Sequence, residues 1–298
     1  MSEIQRSGFV GIIGRPNVGK STLVNQILGQ KVSITSRRPQ TTRHRIHGIK
    51  TLGDTQIIYA DTPGLHQNES RAMNRYLNRA AGGALFDVDI IVFVVDARKW
   101  TEEDDFVLEK LKKAEQPVIL AVNKVDYFPD RTRLLPILET FGGKRTFHAV
   151  VPISALKAQN IDQLETTLQR LIPEGPAYYP EDQISDKSER FHAAEIIREK
   201  LTRCLGKELP YALTVEIEQF SDEEKLRRIH ALIWVERESQ KAIVIGKKGD
   251  GLKNIGSQSR IEMESMFGKK VFLGLWVKIK SNWSDDERAL LSLGYQSM

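Results

Sequence analysis

The chain has 298 residues, 40% hydrophobic and 28% charged, the composition of a folded globular protein with length for two ordinary domains. No apolar run approaches the roughly 20 residues of a membrane span, the N-terminal MSEIQRSGF lacks the apolar stretch of a secretory signal, and the single cysteine, Cys204, excludes an internal disulfide and fits a reducing cytoplasm. The net charge of +5 is unevenly placed: residues 1–50 hold nine Lys/Arg against one acid, and residues 241–280 nine against three. Such patches fit a polyanionic partner and fit a solvated basic surface equally well.

The first predicted strand, FVGIIG (9–14), runs into a glycine turn and a helix, KSTLVNQIL (20–28). Between them Gly14–Ser21 matches G-x-x-x-x-G-K-[ST] in the strand–turn–helix setting that the motif requires. Gly14, Arg15, Pro16, Asn17, Val18, Gly19, Lys20, Ser21 and Thr22 would wrap phosphates, because glycines let backbone N–H groups and a helix N-terminus face an anion. Lys20 is expected at the β- and γ-phosphates and the Ser21 hydroxyl on Mg2+. A basic loop, SITSRRPQTTRHR (33–45), follows.

The next strands are TQIIYAD (55–61), DIIVFVVDA (89–97), PVILAVNK (117–124) and AVVPIS (149–154), with helical patterns at 104–114 and 160–172. Near-continuous β-branched runs alternating with helices predict a doubly wound α/β domain with a mostly parallel sheet, spanning residues 1–172. Its strand ends carry three further signals. In DTPG, Asp61 can hold the Mg2+ shell through water, Thr62 and Pro63 shape the turn, and the Gly64 N–H can sense a γ-phosphate. In NKVD, Asn123 is expected in the nucleotide site, Lys124 can lie over a base, and the Asp126 carboxylate can accept from both N–H donors of guanine, a pair that adenine lacks. In SAL, a backbone N–H of Ser154, Ala155 or Leu156 can meet the guanine carbonyl. All four motifs fall where open α/β sheets bind ligands, at the carboxyl ends of strands.

With these four motifs, residues 8–172 resemble the translation-factor-related GTPases of the P-loop class. The resemblance makes 33–45 the switch that closes on the γ-phosphate, with Thr42 the better Mg2+ ligand and Thr41 the next. Leu65 stands where many small GTPases have the glutamine that orients water, so a glutamine-assisted mechanism is excluded. Related GTPases bear asparagine at the position of Asn17 and use it to hold K+, which would act against transition-state charge; a turn-favouring asparagine beside Pro16 is an equal reading. Lys20, Thr42, Gly64 and Asn17 are thus the catalytic candidates, with slow intrinsic turnover to GDP and phosphate.

PEGPAYYPEDQISD (173–186), rich in proline and acids, is read as a linker. Residues 187–298 then follow the order α-β-β-α-α-β, an α+β domain with a mostly antiparallel sheet and a short terminal helix. Cys204, in EIIREKLTRCLG, is expected to pack. GKKG (246–249) is the G-x-x-G clamp of KH domains, which grip about four single-stranded nucleotides. Lys247, Lys248 and Lys253 suit phosphates, and Ile243, Val244, Ile245, Gly246, Gly249, Leu252 and Ile255 would line the apolar groove. Trp234, Phe272 and Trp276 sit in strand patterns and are expected in the core.

A GTPase domain followed by a type II KH domain is similar to the Era family of bacterial GTPases, through GRPNVGKS, QTTRHRI, DTPGLH, AVNKVD, PISA, YYPEDQISD, EIIREKL, ELPY and WVKIKSNWSDDERALLSLGY. The resemblance implies binding to small-subunit (16S) rRNA near its 3′ end, assembly of the 30S subunit, and peripheral contact with the inner face of the membrane. A cytoplasmic monomer is expected. Two rival readings are a membrane-associated signalling GTPase and an RNA-modification GTPase; the latter would need an extra catalytic cysteine or a cofactor site, and lone Cys204 in a helix argues against it.

Overall fold

The computed structural model describes residues 4–36, 38, 40–65, 72–83, 87–205 and 212–295. ELPY and the segment just after Leu65 lie outside these residues.

A six-stranded sheet forms the first unit. Its strands are β1 (Arg6–Ile13), β2 (Ile46–Leu52), β3 (Thr55–Asp61), β4 (Ile90–Asp96), β5 (Val118–Asn123) and β6 (Ala149–Pro152), in the spatial order β2-β3-β1-β4-β5-β6. Only β2 runs antiparallel, as the edge strand beside β3. Every residue of β3, β4 and β5 is buried, which is why those runs show no polar alternation. Helices α1 (Lys20–Leu28), α3 (Glu102–Leu111), α4 (Leu134–Gly142) and α5 (Ile161–Leu171) flank the sheet, while α2 (Ala72–Gly83) sends Ala81 to it and packs Met73, Tyr76 and Leu77 against Trp283, Leu290 and Tyr295 of the second unit. Two apolar clusters cover its faces, one through Val24, Ile27, Leu164 and Leu168, the other through Val107, Leu111 and Phe141. The strand order reverses at β1 and β4, so the crevice for a ligand opens beside the phosphate loop.

The sequence patterns named above omit β2, α2 and α4. β2 pairs through its backbone with β3, and its sequence IHGIKTL carries a glycine and a lysine that dilute any alternation.

Residues 173–186 are not a free tether. Gln56 accepts from the Tyr178 and Tyr179 N–H groups and donates to Tyr179 O, while Ile49 N donates to Ile184 O at 2.8 Å. The segment is thereby strapped to the β2–β3 side of the sheet.

The second unit comprises α6 (Glu189–Cys204), β7 (Leu213–Asp222), β8 (Leu226–Val235), α7 (Glu238–Ile245), α8 (Asp250–Phe267), β9 (Lys270–Ile279) and α9 (Glu287–Ser292). Its sheet, β7-β8-β9, has one antiparallel pairing and one parallel pairing, rather than the mostly antiparallel sheet expected. The parallel β8–β9 pairing follows from the connection, since two helices cross between those strands. Cys204 is exposed at the end of α6 rather than packed, because that helix turns Ile196, Ile197 and Leu201 toward the core instead.

Candidate functional site

The phosphate loop leaves β1 and curls back over α1. Gly19 holds φ +105, and a Cβ there would lie 2.4 Å from the Asn123 amide, so only glycine fits. Lys20 is buried and donates to Gly14 O at 2.9 Å and Arg15 O at 3.0 Å, curled under the loop it should serve. Burial lowers its pKa to about 8, opposed by the Asp61 charge. The Arg15 guanidinium is tied to buried Asp104 of α3 at 2.9 Å, and Thr62 Oγ1 donates to Ile12 O at 2.9 Å. These two residues brace the loop.

The Ser21 and Thr42 hydroxyls are 2.7 Å apart, while Thr41 Oγ1 instead donates to Arg38 O at 2.6 Å. Asp61 lies fully buried beside them, and neither of its carboxylate oxygens has a hydrogen-bond partner. Burial pushes its pKa up; the Ser21 and Ser33 hydroxyls and the Lys20 charge nearby favour the ionised form. A buried, partnerless carboxylate beside two hydroxyls fits a hard divalent cation such as Mg2+. Leu65 is buried in the apolar cluster that contains Val95 and Leu108, so it does not face the cleft. Gly64 is packed against Pro16, where a Cβ would meet the proline at 2.8 Å. Pro16, Asn17, Gly19, Lys20, Thr42 and Gly64 rim one cleft of about 60 Å³.

The residues expected to read the base meet at the other end of the loop. Ser154 Oγ donates to Asp126 Oδ1 at 2.6 Å and aims that carboxylate. Lys124 Nζ donates to Asn17 O at 2.7 Å and to Asp96 Oδ2 at 2.8 Å, which stretches it across the site. Asn123 points inward rather than at a ligand: its amide donates to Val18 O at 2.8 Å and its oxygen accepts from Lys124 N and Ala155 N. It splices three motifs together. The Ser154 N–H is taken by Gln159 O and the Ala155 N–H by Asn123 Oδ1.

In the second unit, Gly246–Gly249 turns between α7 and α8 as a G-x-x-G clamp must. A Cβ on Gly246 would strike Gly251 N at 2.8 Å, at φ +73. Lys247 and Lys248 are exposed at the tip.

A family model described as a 50S ribosome-binding GTPase matches residues 9–124, and a KH-domain model matches 208–284. GTPase Era of Marinobacter nauticus is 59% identical over 289 residues, covering 97% of this chain and 95% of its own. The Ectopseudomonas mendocina GTPase Era is 56% identical over 292 residues, covering 98% of each. The chain belongs to the Era family of GTPases. Two solved Era structures, one an Aquifex aeolicus variant bound to GDP and AlF4-, the other in complex with MgGDPNP and nucleotides 1506–1542 of 16S ribosomal RNA, are each 38% identical with a TM-score of 0.94. They cover 97% and 98% of this chain, respectively, and 99% of their own.

Within this Era-family KH unit, the groove differs from the sequence expectation. Val244 and Ile255 are fully buried core residues, because α7 and α8 turn them toward Ile233 and Met263. Ile243 is exposed, and Ile245 is half-buried. The concavity beside the clamp is lined by Leu252, Lys253, Gly256, Arg260, Leu273 and Leu275. Gly256 and Arg260 lie at helical spacing from Leu252, the signal that would have found them. Leu273 and Leu275 come from β9 and carry no local signal.

Helix α6 also reaches the segment expected to be the switch, which no motif foretold. Thr35 N donates to Glu199 Oε1 at 2.8 Å, Lys31 pairs with Glu199 and Glu262, and Arg198 donates to Thr41 O. Arg43 is buried and donates to Leu213 O at 2.8 Å, and His44 stacks on Tyr295 at 4.8 Å.

Proposed function

We propose that this Era-family GTPase is a GTP-operated RNA switch, whose KH groove binds small-subunit (16S) rRNA near its 3′ end during 30S subunit assembly. The observation that carries the switch reading is the direct bonding of α6 to the segment 31–43: Glu199 to Thr35 and Arg198 to Thr41. A nucleotide that reorders that segment must reorder its bonds to the KH unit. By linkage, RNA that prefers one nucleotide state strengthens that nucleotide's binding by the same factor.

In this reading the domains run 1–172 and 187–298, joined by the strapped segment 173–186. Gly14 to Thr22 cradle the phosphates, and Lys20 exchanges its loop carbonyls for the β- and γ-phosphates. Asp126, aimed by Ser154, reads guanine; Lys124 covers the base; the Leu156 N–H meets its carbonyl. The Gly64 N–H senses the γ-phosphate. Ser21 and Thr42 would hold Mg2+ with Asp61 behind them, and the ion would neutralise charge developing on the phosphates. Asn17, exposed at the cleft rim, is the candidate K+ ligand. The cytoplasmic, monomeric setting belongs to the same proposal.

RNA is favoured over an anionic membrane by how the first basic segment is used. Lys31, Arg38, Arg43, Arg45 and Lys50 all bond to groups within the protein. No helix of the described residues is long and apolar enough to cross a membrane. The test compares RNA affinity with a non-hydrolysable GTP analogue and with GDP. A difference is expected; equal affinities would remove the switch. Flotation with liposomes, competed by RNA, separates the membrane reading.

A further inference from the structure

The sheet of the KH unit has two faces, and helices cover one of them. Ile229, Ala231, Ile233 and Val235 of β8 and Val271 of β9 point under α6 and α8. Alternation sends Arg228, His230, Leu232 and Trp234 of β8, and Phe272, Gly274, Trp276 and Lys278 of β9, to the opposite face. There Phe272 is 45% exposed and Trp276 47% exposed, contrary to the core placement that their strand pattern suggested. His230 meets Trp276 edge-on at 5.1 Å and Phe272 at 5.9 Å. Gly274 lies between the two aromatic residues, and a Cβ there would strike the Trp276 ring at 2.8 Å. The missing side chain lets the indole lie down on the sheet, making a broad flat surface.

Cations frame this surface. The Arg228 guanidinium lies over the Phe272 ring at 4.9 Å, and Lys278 and Lys280 lie 5.9 Å from the Trp234 ring. Lys270 extends at the near end of β9, largely exposed. Acids are present too: Glu223 pairs with Arg228, Glu218 sits 3.7 Å from Lys278, Glu264 lies 3.5 Å from Lys270, and Glu216 of β7, opposite Leu232, accepts from the Trp234 indole at 2.8 Å; none of them comes from β8 or β9, the strands that carry His230, Phe272 and Trp276. Strand β9 is the sheet edge, and its alternate residues Leu273 and Leu275 line the groove beside the G-x-x-G clamp. The groove and the aromatic face are therefore the two sides of one edge strand.

We propose that this face is a second RNA-binding surface, on which single-stranded bases that continue beyond the groove stack against Trp276 and Phe272. The inference rests on the KH reading for its direction, because a G-x-x-G groove holds only about four nucleotides. A longer strand leaving it can pass over the β9 edge and meet aromatic rings ringed by cations, the pairing that binds single strands without reading sequence. Arg228, Lys270 and Lys278 would take the phosphates.

The experiment measures affinity for two RNA probes: nucleotides 1506–1542 of 16S rRNA, as bound by the solved relative, and fragments of roughly four to five nucleotides from its single-stranded part, the length a clamp holds. A Phe272→Ala/Trp276→Ala variant should bind the long RNA at least roughly tenfold more weakly, the size of one lost stacked base, with the fragments unaffected. An unchanged long-RNA affinity overturns the proposal, and so does an equal loss on both probes. A Lys247→Asp/Lys248→Asp variant tests the groove separately. If it binds both probes normally while the face variant fails on the long one, the groove reading falls and the face stands. If it fails on both while the face variant binds normally, only the face falls. Photo-crosslinking with 5-iodouridine in the long RNA should label the peptide 270–279; labels confined to 246–260 would also overturn the proposal. Both substituted side chains are exposed, and an unchanged thermal midpoint checks that the variant folds.

Discussion

The Thr35 backbone N–H donates to Glu199 Oε1 at 2.8 Å, so a fully buried carboxylate of the KH unit holds the backbone of the segment beside the nucleotide cleft. Lys31, Lys200 and Arg203 surround the same carboxylate. Glu199→Gln keeps the shape but leaves Arg203 without its carboxylate, and Lys31 and Lys200 with Glu262 alone. Removing one partner of a buried ionic cluster costs about 3 kcal/mol, somewhat less here because Lys31 and Arg203 are partly solvated. Denaturant unfolding should show that loss. The difference in RNA affinity between the GTP-analogue and GDP states should shrink as well; an undiminished difference would place the coupling elsewhere.

In the proposed reading, base selection rests on Asp126, which accepts a 2.6 Å bond from Ser154. Asp126→Asn replaces one acceptor oxygen with a donor, which clashes with guanine but matches xanthine. Its nucleotide preference should move from GTP to xanthosine triphosphate, and retained GTP affinity contradicts the assignment. Ser154→Ala leaves the carboxylate in place without its aim, and should weaken GTP binding by about tenfold, the worth of one hydrogen bond to a charged group.

Lys20 gives nucleotide binding a pH dependence. Burial lowers its pKa in the free protein to about 8, below the ordinary 10.5. Phosphates require the charged form and raise its pKa, so binding takes up a proton above pH 8. Affinity for GTP should be flat below pH 8 and fall above it, by up to about tenfold per pH unit. Calorimetry in buffers of different ionisation enthalpy would detect the proton uptake. No uptake at pH 8.5 would mean that Lys20 is already charged in the free protein.

Potassium is tested at Asn17. Its exposed side chain rims the cleft, and buried Leu65 is turned away from it. GTP turnover should be faster in K+ than in Na+, and Asn17→Ala should remove most of that difference. Equal rates in the two salts would sink the idea.

Much of the nucleotide site was readable because its parts are local. A phosphate loop is eight consecutive residues, and each later motif sits at a strand end that its own apolar run announces. What the sequence hid was long-range. Asn123 looks like a ligand in NKVD, yet its amide and oxygen join Val18 to Ala155, a role visible only once β1, β4, β5 and β6 lie in one sheet. Trp276 and Phe272 read as core because an alternating strand says that one face is buried without saying which. Arg43 stands in a basic loop by composition, yet it is buried against Leu213 O and Tyr295. Its partners lie 170 and 252 residues away, beyond any local pattern.

His44, next to Arg43, supplies a pH test of the domain contact itself. Its ring stacks on Tyr295 at 4.8 Å and meets Phe191 edge-on at 5.3 Å, both from the second unit, while its Nδ1 lies 3.4 Å from the Tyr76 hydroxyl of α2. Burial lowers its pKa to about 4, with Glu195 opposing and Arg198, Arg43 and Lys187 reinforcing the shift. The folded pKa lies below the unfolded value near 6.5, so the unfolded chain binds the extra proton between pH 4 and 6.5. Stability from this group is complete above pH 6.5 and is lost as pH falls toward 4, by about 1.4 kcal/mol per pH unit over that window. His44→Phe keeps an aromatic ring in the stack and removes the proton site. The variant should therefore lose less stability than the wild type between pH 6.5 and 4.5 in denaturant titrations. Parallel slopes would show that His44 is already charged in the folded protein, and the stack on Tyr295 would then be a cation–aromatic contact instead of a dry one.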